Sequence, residues 1–206
     1  MFTSNTMDSV QEQGKHLLEV LRSEKFLKMQ GIFNEVPFFI YPYDPTKALE
    51  VARMKTTLIK NLKEQNPSVN VLEVNMYDLA TEILKGLGVW EQLLEVEPEQ
   101  SPPDFTELLR GMLEPDEDLA PAIANKAKAY GDYDVMFLTG FGQVFPYIRA
   151  HSLLSNLHAV INDHPVVTFF PGTYRQTNST GSTLELFGKL KNDRYYRARN
   201  ILEMEA

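Results

Sequence analysis

The chain has 206 residues, 43% of them hydrophobic and 23% charged, with no cysteine and a net charge of −8. This describes one globular domain long enough to bury a real core. It excludes a disulfide framework, a thiolate metal site and a cysteine nucleophile, and it argues against nucleic-acid binding by the surface as a whole, because lysine and arginine supply most of the affinity for phosphate backbones.

Met1–Val10 is polar and lacks the apolar stretch of a signal peptide. No apolar run approaches the roughly 18–20 residues that span a bilayer, so a soluble cytoplasmic protein with no membrane partner is expected. Val10–Met29 carries apolar residues at Val10, Leu17, Leu18, Val20, Leu21, Phe26 and Leu27, a spacing that predicts one or two amphipathic helices. Pro37–Tyr41 predicts a buried first strand with proline at its entry. Asp44-Pro45 predicts a helix start, since aspartate caps free backbone N–H groups and proline suits the first helical position. That helix is expected to run from Pro45 to about Gln65, stopped by Asn66-Pro67.

Asn70–Val74 predicts a second strand. Asn75 leads into a helix over Tyr77–Lys85, with Gly86 and Gly88 as its stop. A helix over Trp90–Val96 precedes a break at Pro98–Pro103, and Asp104–Tyr130 predicts two helices separated near Glu114–Asp116. Tyr133–Leu138 predicts the third strand, Pro146–Leu157 the helix behind it, and Pro165–Phe170 the fourth strand. Tyr174–Ser182 is rich in threonine, asparagine and serine and predicts a loop. Leu184–Phe187 predicts a fifth strand at an edge, and Tyr195–Met204 a short helix.

Strands alternating with helices imply an α/β, Rossmann-like domain over residues 1–206: a mostly parallel sheet of about five strands, helices on both faces, and an acidic helical insertion over about 86–131. Charge is unevenly spread. Glu91–Ala120 holds ten acidic residues against one basic, and Gly172–Asn200 six basic against two acidic. One end could meet an acidic partner while the middle repels nucleic acid; the alternative is two solvated faces of opposite sign.

Two apolar runs, Val135–Leu138 and Val166–Phe170, end in glycine-containing loops, where open α/β folds usually bind ligands and partners. Gly140-Phe141-Gly142 matches the first two glycines of a dinucleotide fingerprint, but Phe145 stands where the third should be. The alternative is a tight turn that needs glycine for a positive φ. The phosphate loop G-x-x-x-x-G-K-[ST] is absent, as are HExxH and G-x-S-x-G. His151 and His158 sit seven apart without a third zinc ligand, and no pair of carboxylates is singled out for acid–base work. No catalytic residue, metal or cofactor is therefore expected.

Phe170–Arg175 predicts a turn followed by an aromatic and a cation. In a parallel sheet this loop, Tyr41–Asp44 and Thr139–Gln143 crowd one edge, gathering Tyr41, Tyr43, Phe141, Gln143, Tyr174 and Arg175. Tyrosine and arginine are favoured at protein-binding hot spots, so this edge suits a partner better than catalysis, unless the aromatics simply close the core. Lys189, Lys191, Arg194, Tyr195, Arg197 and Arg199 form a weaker alternative, a basic, tyrosine-interleaved segment able to contact phosphates and stack bases.

The segments FLTGFGQVFPYIRAHSLLSNL, PVVTFFPGTY and LELFGKLKNDRYYRARNI resemble the DUF1788 family, the BrxB component of bacterial BREX phage-defence systems. FFIYPYDP and VLEVNMYDL in the N-terminal half are compatible with it. The resemblance implies a non-methylating, non-catalytic component that associates with a PglZ-type protein. Through that protein it implies indirect contact with the system's methyltransferase and large ATPase. It supplies no catalytic residues to carry over. A degenerate nucleotide-binding domain, or a DNA-contacting subunit of the same assembly, is the alternative.

Overall fold

The computed structural model describes residues 9–29, 37–177, 181–187, 190–191 and 198–205, with backbone alone at 175–177, 181–183 and 190–191. Helix α1 (Val10–Leu21) starts in a capping box. The Ser9 hydroxyl accepts from Glu12 N–H at 3.2 Å while the Glu12 carboxylate accepts from Ser9 N–H at 3.3 Å. A short helix α2 (Glu24–Leu27) follows, then strand β1 (Phe38–Tyr43). Asp44 caps as expected, but it caps a 3-10 turn at Pro45–Lys47, and the α-helix α3 spans Ala48–Lys63.

Strand β2 (Val71–Asn75) leads directly into α4 (Met76–Gly86), whose N-terminus is capped by the Asn75 side chain. Three helices intervene before the next strand: α5 (Trp90–Val96), α6 (Pro102–Arg110) and α7 (Ala120–Tyr130), the last entered through a π-type turn at Pro115–Leu119. Strand β3 (Val135–Thr139) is buried along its whole length. In place of the single helix expected over Pro146–Leu157, a helical turn α8 (Phe141–Val144) and a separate helix α9 (Ala150–Leu157) are found. Phe145 precedes a proline and is extended, as steric conflict with the proline ring dictates, so no helix runs through it.

Strand β4 (Val166–Thr177) overturns two further expectations. Phe170–Arg175 is not a turn, and Tyr174–Thr177 is not a loop. The strand leaves the parallel sheet at Gly172 and continues antiparallel to β5 (Gly181–Leu186), which in turn pairs with β6 (Leu190–Lys191). A Cβ at residue 172 would run into the Glu185 carbonyl oxygen, so glycine lets the two backbones meet there. The helix expected over Tyr195–Met204 is replaced, within the described part, by strand β7 (Arg199–Asn200) and a 3-10 turn at Ile201–Glu203. Pairing with the open edge of β1 outcompetes helix there.

The parallel order is β2-β3-β4-β1-β7. This is the Rossmann-like, helix-covered sheet expected, with an antiparallel hairpin growing from its central strand. Alternate strand residues face opposite layers. Phe39, Tyr41, Phe137 and Phe169 pack against Leu17 and Val20 of α1 and Leu58 and Leu62 of α3. Phe38, Ile40, Met136 and Phe170 pack against Leu79 of α4, Ile123 of α7 and Leu153 of α9. Both faces are apolar because both are covered. No helix among the described residues is long and apolar enough to cross a membrane.

Candidate functional site at the strand ends

From β1 the chain crosses through α3 to β2 at the far edge, then returns by β3 and β4 to lie beside β1. The connection after β1 therefore joins the α1/α3 layer, and the connections after β2 and β3 join the other. Neighbouring strand ends whose connections diverge leave a crevice between them. A cleft of about 440 Å³ opens there, floored by Gly172 and walled by Tyr43, Asp44, Lys47, Tyr174 and Phe187, with Val10 and Gln13 of α1 at its side.

The walls are held by polar anchors. Tyr174 Oη donates to the Ala198 carbonyl, tying β4 to the chain entering β7. Thr173 Oγ1 donates to Glu185 Oε2 at 3.3 Å across the hairpin. Asp44 Oδ1 accepts from the Thr46 hydroxyl at 2.7 Å and from Thr46 N–H at 2.9 Å, and these bonds, the hydroxyl's foremost, hold its carboxyl below the usual range. Burial pushes the Tyr43 phenol up, so it stays a neutral donor at physiological pH.

Phe187 is the least expected wall residue. It is 39% exposed, and its φ of 53° lies in the left-handed region that bulky side chains avoid. Its N–H donates to the Pro171 carbonyl at 3.0 Å, and its ring stands edge-on to Phe145 with centroids 6.0 Å apart. One aromatic thus joins the cleft to the loop after β3.

Of the six residues predicted to share this edge, the structure brings Tyr43 and Tyr174 into one cleft. Tyr41 and Phe141 are corrected: both are buried and unavailable to a partner. Tyr41 lies beneath the cleft, stacked near Tyr43 and edge-on to Phe169, with its hydroxyl donating to Gln13 Oε1 at 2.6 Å. Phe141 packs in the layer built by α4 and α9. Gln143 is exposed on the neighbouring loop, its N–H bonded to the Gly140 carbonyl at 2.9 Å. Arg175 has its backbone in β4 opposite Thr183, and its side chain lies outside the described residues.

In the basic set, Lys189, Arg194, Tyr195 and Arg197 lie outside the described residues; Lys191 is placed by backbone in β6, and Arg199 is exposed in β7. Sequence reasoning missed Lys47, Gln13 and Phe187. The alternation of Leu184 and Leu186 with Thr183 and Glu185 was the available signal for a hairpin ending at Phe187.

The glycine pair after β3 has a structural explanation. Gly140 has φ +82°, and a Cβ there would sit 2.5 Å from Asn75 Oδ1, the atom that caps α4. The helix that follows is one turn long. Among the described residues no group of three or more histidine, aspartate or glutamate side chains is arranged to hold a metal.

The chain matches the family model described as BREX protein BrxB over residues 72–201. It is 30% identical over 197 residues to BREX protein BrxB of Bacillus cereus (strain H3081.97), an alignment covering 96% of this chain and 100% of that protein. It is 28% identical over 182 residues to BREX protein BrxB of Escherichia coli O9:H4 (strain HS), covering 88% of this chain and 86% of that one. No solved structure matches significantly.

Proposed function

Because the chain belongs to the BrxB family of BREX proteins, we propose that it serves its phage-defence system as a non-catalytic binding subunit that docks a PglZ-type protein in the strand-end cleft. The methyltransferase and the large ATPase are then reached through that partner. The observation that carries this is the cleft's chemistry. Tyr43, Tyr174 and Phe187 present rigid aromatic area with two hydroxyls at a crevice of the sheet, and such residues dominate protein-binding hot spots. Holding Phe187 left-handed and partly exposed costs about 1 kcal/mol, a cost that a role in binding would explain.

Co-purification and titration with the PglZ-type protein test the proposal. Phe187→Ala and Tyr43→Ala are each expected to weaken binding at least about tenfold, the loss typical of a hot-spot aromatic, with thermal stability little changed for Phe187→Ala. Full-strength binding by folded variants would overturn the cleft as the surface. Failure of the wild-type chain to bind would overturn the partnership. Calorimetry with ATP, GTP and dinucleotides at millimolar concentration is expected to show no heat, and turnover of any of them by the purified chain would overturn the non-catalytic assignment.

A further inference from the structure

The insertion between β2 and β3 carries a second surface, independent of the cleft. Helix α5 turns Trp90 and Leu93 toward the core, and helix α6 does the same with Phe105 and Leu109. Their spacing fixes what the opposite faces show. Helix α5 presents Glu91, Leu94 and Glu95; helix α6 presents Asp104, Glu107 and Leu108. Each outward face is thus a leucine rimmed by two carboxylates, with Leu94 47% and Leu108 38% exposed. Leu87, just before α5, is exposed as well. Single exposed leucines need no explanation, but the same pattern on two successive helices does.

The charge is equally one-sided. Of the ten acidic residues between Glu91 and Asp118, only Glu107 has a cationic partner among the described residues, Arg110. Repulsion among unpaired like charges weakens the compact state, and a cationic occupant relieves it. A second copy of this chain, also at −8, would meet acid with acid, and nucleic acid would be repelled in the same way. The insertion is fastened beside the sheet edge by Arg110, whose Nη2 donates to the Pro146 carbonyl at 3.0 Å. It therefore offers a positioned face.

We infer that the outward faces of α5 and α6 form a docking surface for a basic amphipathic segment of a partner protein. The leucines receive its apolar stripe and the carboxylates flank its lysines and arginines.

The test uses the full chain and a synthetic lysine–leucine peptide patterned as an amphipathic helix, beside a scrambled peptide of identical composition. The patterned peptide is expected to bind at least about tenfold more tightly, because only it aligns apolar anchors with flanking charge. Leu94→Ser with Leu108→Ser is expected to erase that preference while leaving the melting temperature unchanged. Glu91→Gln with Glu95→Gln and Glu99→Gln is expected to weaken both peptides and flatten the salt dependence. Phe187→Ala, in the cleft, is expected to keep full peptide affinity, which separates this surface from the other. Equal affinity for the two peptides, or an undiminished preference in the leucine variant, would overturn the docking surface, as would capture of duplex DNA through these helices.

Discussion

Replacing Gly140 with alanine tests whether the glycine pair after β3 is architecture. Two costs can be read from the structure. At φ +82° an L-residue is disfavoured by about 1–2 kcal/mol. The new Cβ would also lie 2.5 Å from Asn75 Oδ1, which accepts from Tyr77 N–H at 2.9 Å. Displacing that cap costs about 1 kcal/mol more. The sum, about 2–3 kcal/mol, corresponds to a fall in melting temperature of about 4–12 °C for a domain of this size. Thermal and urea denaturation of Gly140→Ala, Asn75→Ala and the double variant measure each part. Asn75→Ala alone is expected to cost about 1 kcal/mol. The double variant is expected to cost about 1 kcal/mol less than the two singles together, since the cap is lost only once. A Gly140→Ala protein within about 0.5 kcal/mol of wild type, or strict additivity, would refute the reasoning.

Alkaline pH is expected to expose the buried tyrosines. The Tyr41 phenol is raised above its ordinary value chiefly by burial, with the neighbouring Tyr43 and Glu50 adding to it. Its stabilising contribution is therefore complete below about pH 10 and is lost as pH rises beyond that. Tyr41→Phe should flatten this loss in melts between pH 8 and 11, while costing about 0.5–1.5 kcal/mol near neutrality through the hydrogen bond to Gln13; superimposable alkaline profiles would contradict it. Glu73 receives both the Lys55 ammonium and, at 2.8 Å, the Thr139 hydroxyl, so Glu73→Ala is expected to cost roughly 1–3 kcal/mol. Glu73→Gln, which keeps an acceptor, should cost less by urea denaturation. Gly172→Ala should push β5 off β4, so that amide exchange accelerates in the hairpin while β3 stays protected; uniform protection would count against the close approach there.

What was legible in the sequence was what short-range chemistry decides. Asp44 and Asn75 announced their caps, and the apolar run ending at Leu138 announced a strand covered on both faces. The hairpin was not legible, because threonine, serine and asparagine around residue 178 suit a loop as well as a solvated strand, and only the partner strand decides between them. Tyr41 illustrates the same limit at the site. Its alternation with Phe39 put both on one face, but that α1 covers that face is a long-range fact. Phe187 escaped notice because its contact with Phe145 depends on where the hairpin turns.

Strand β4 is a member of two sheets, hydrogen-bonded to β3 and β1 along its first half and to β5 along its second. A tug on the hairpin along the axis of β4 would load its central rungs in shear, many at once, and would not peel them one by one. The cleft's outer wall is in this sense a handle forged in one piece with the middle of the sheet, so a partner gripping Phe187 would let go before the fold gave way.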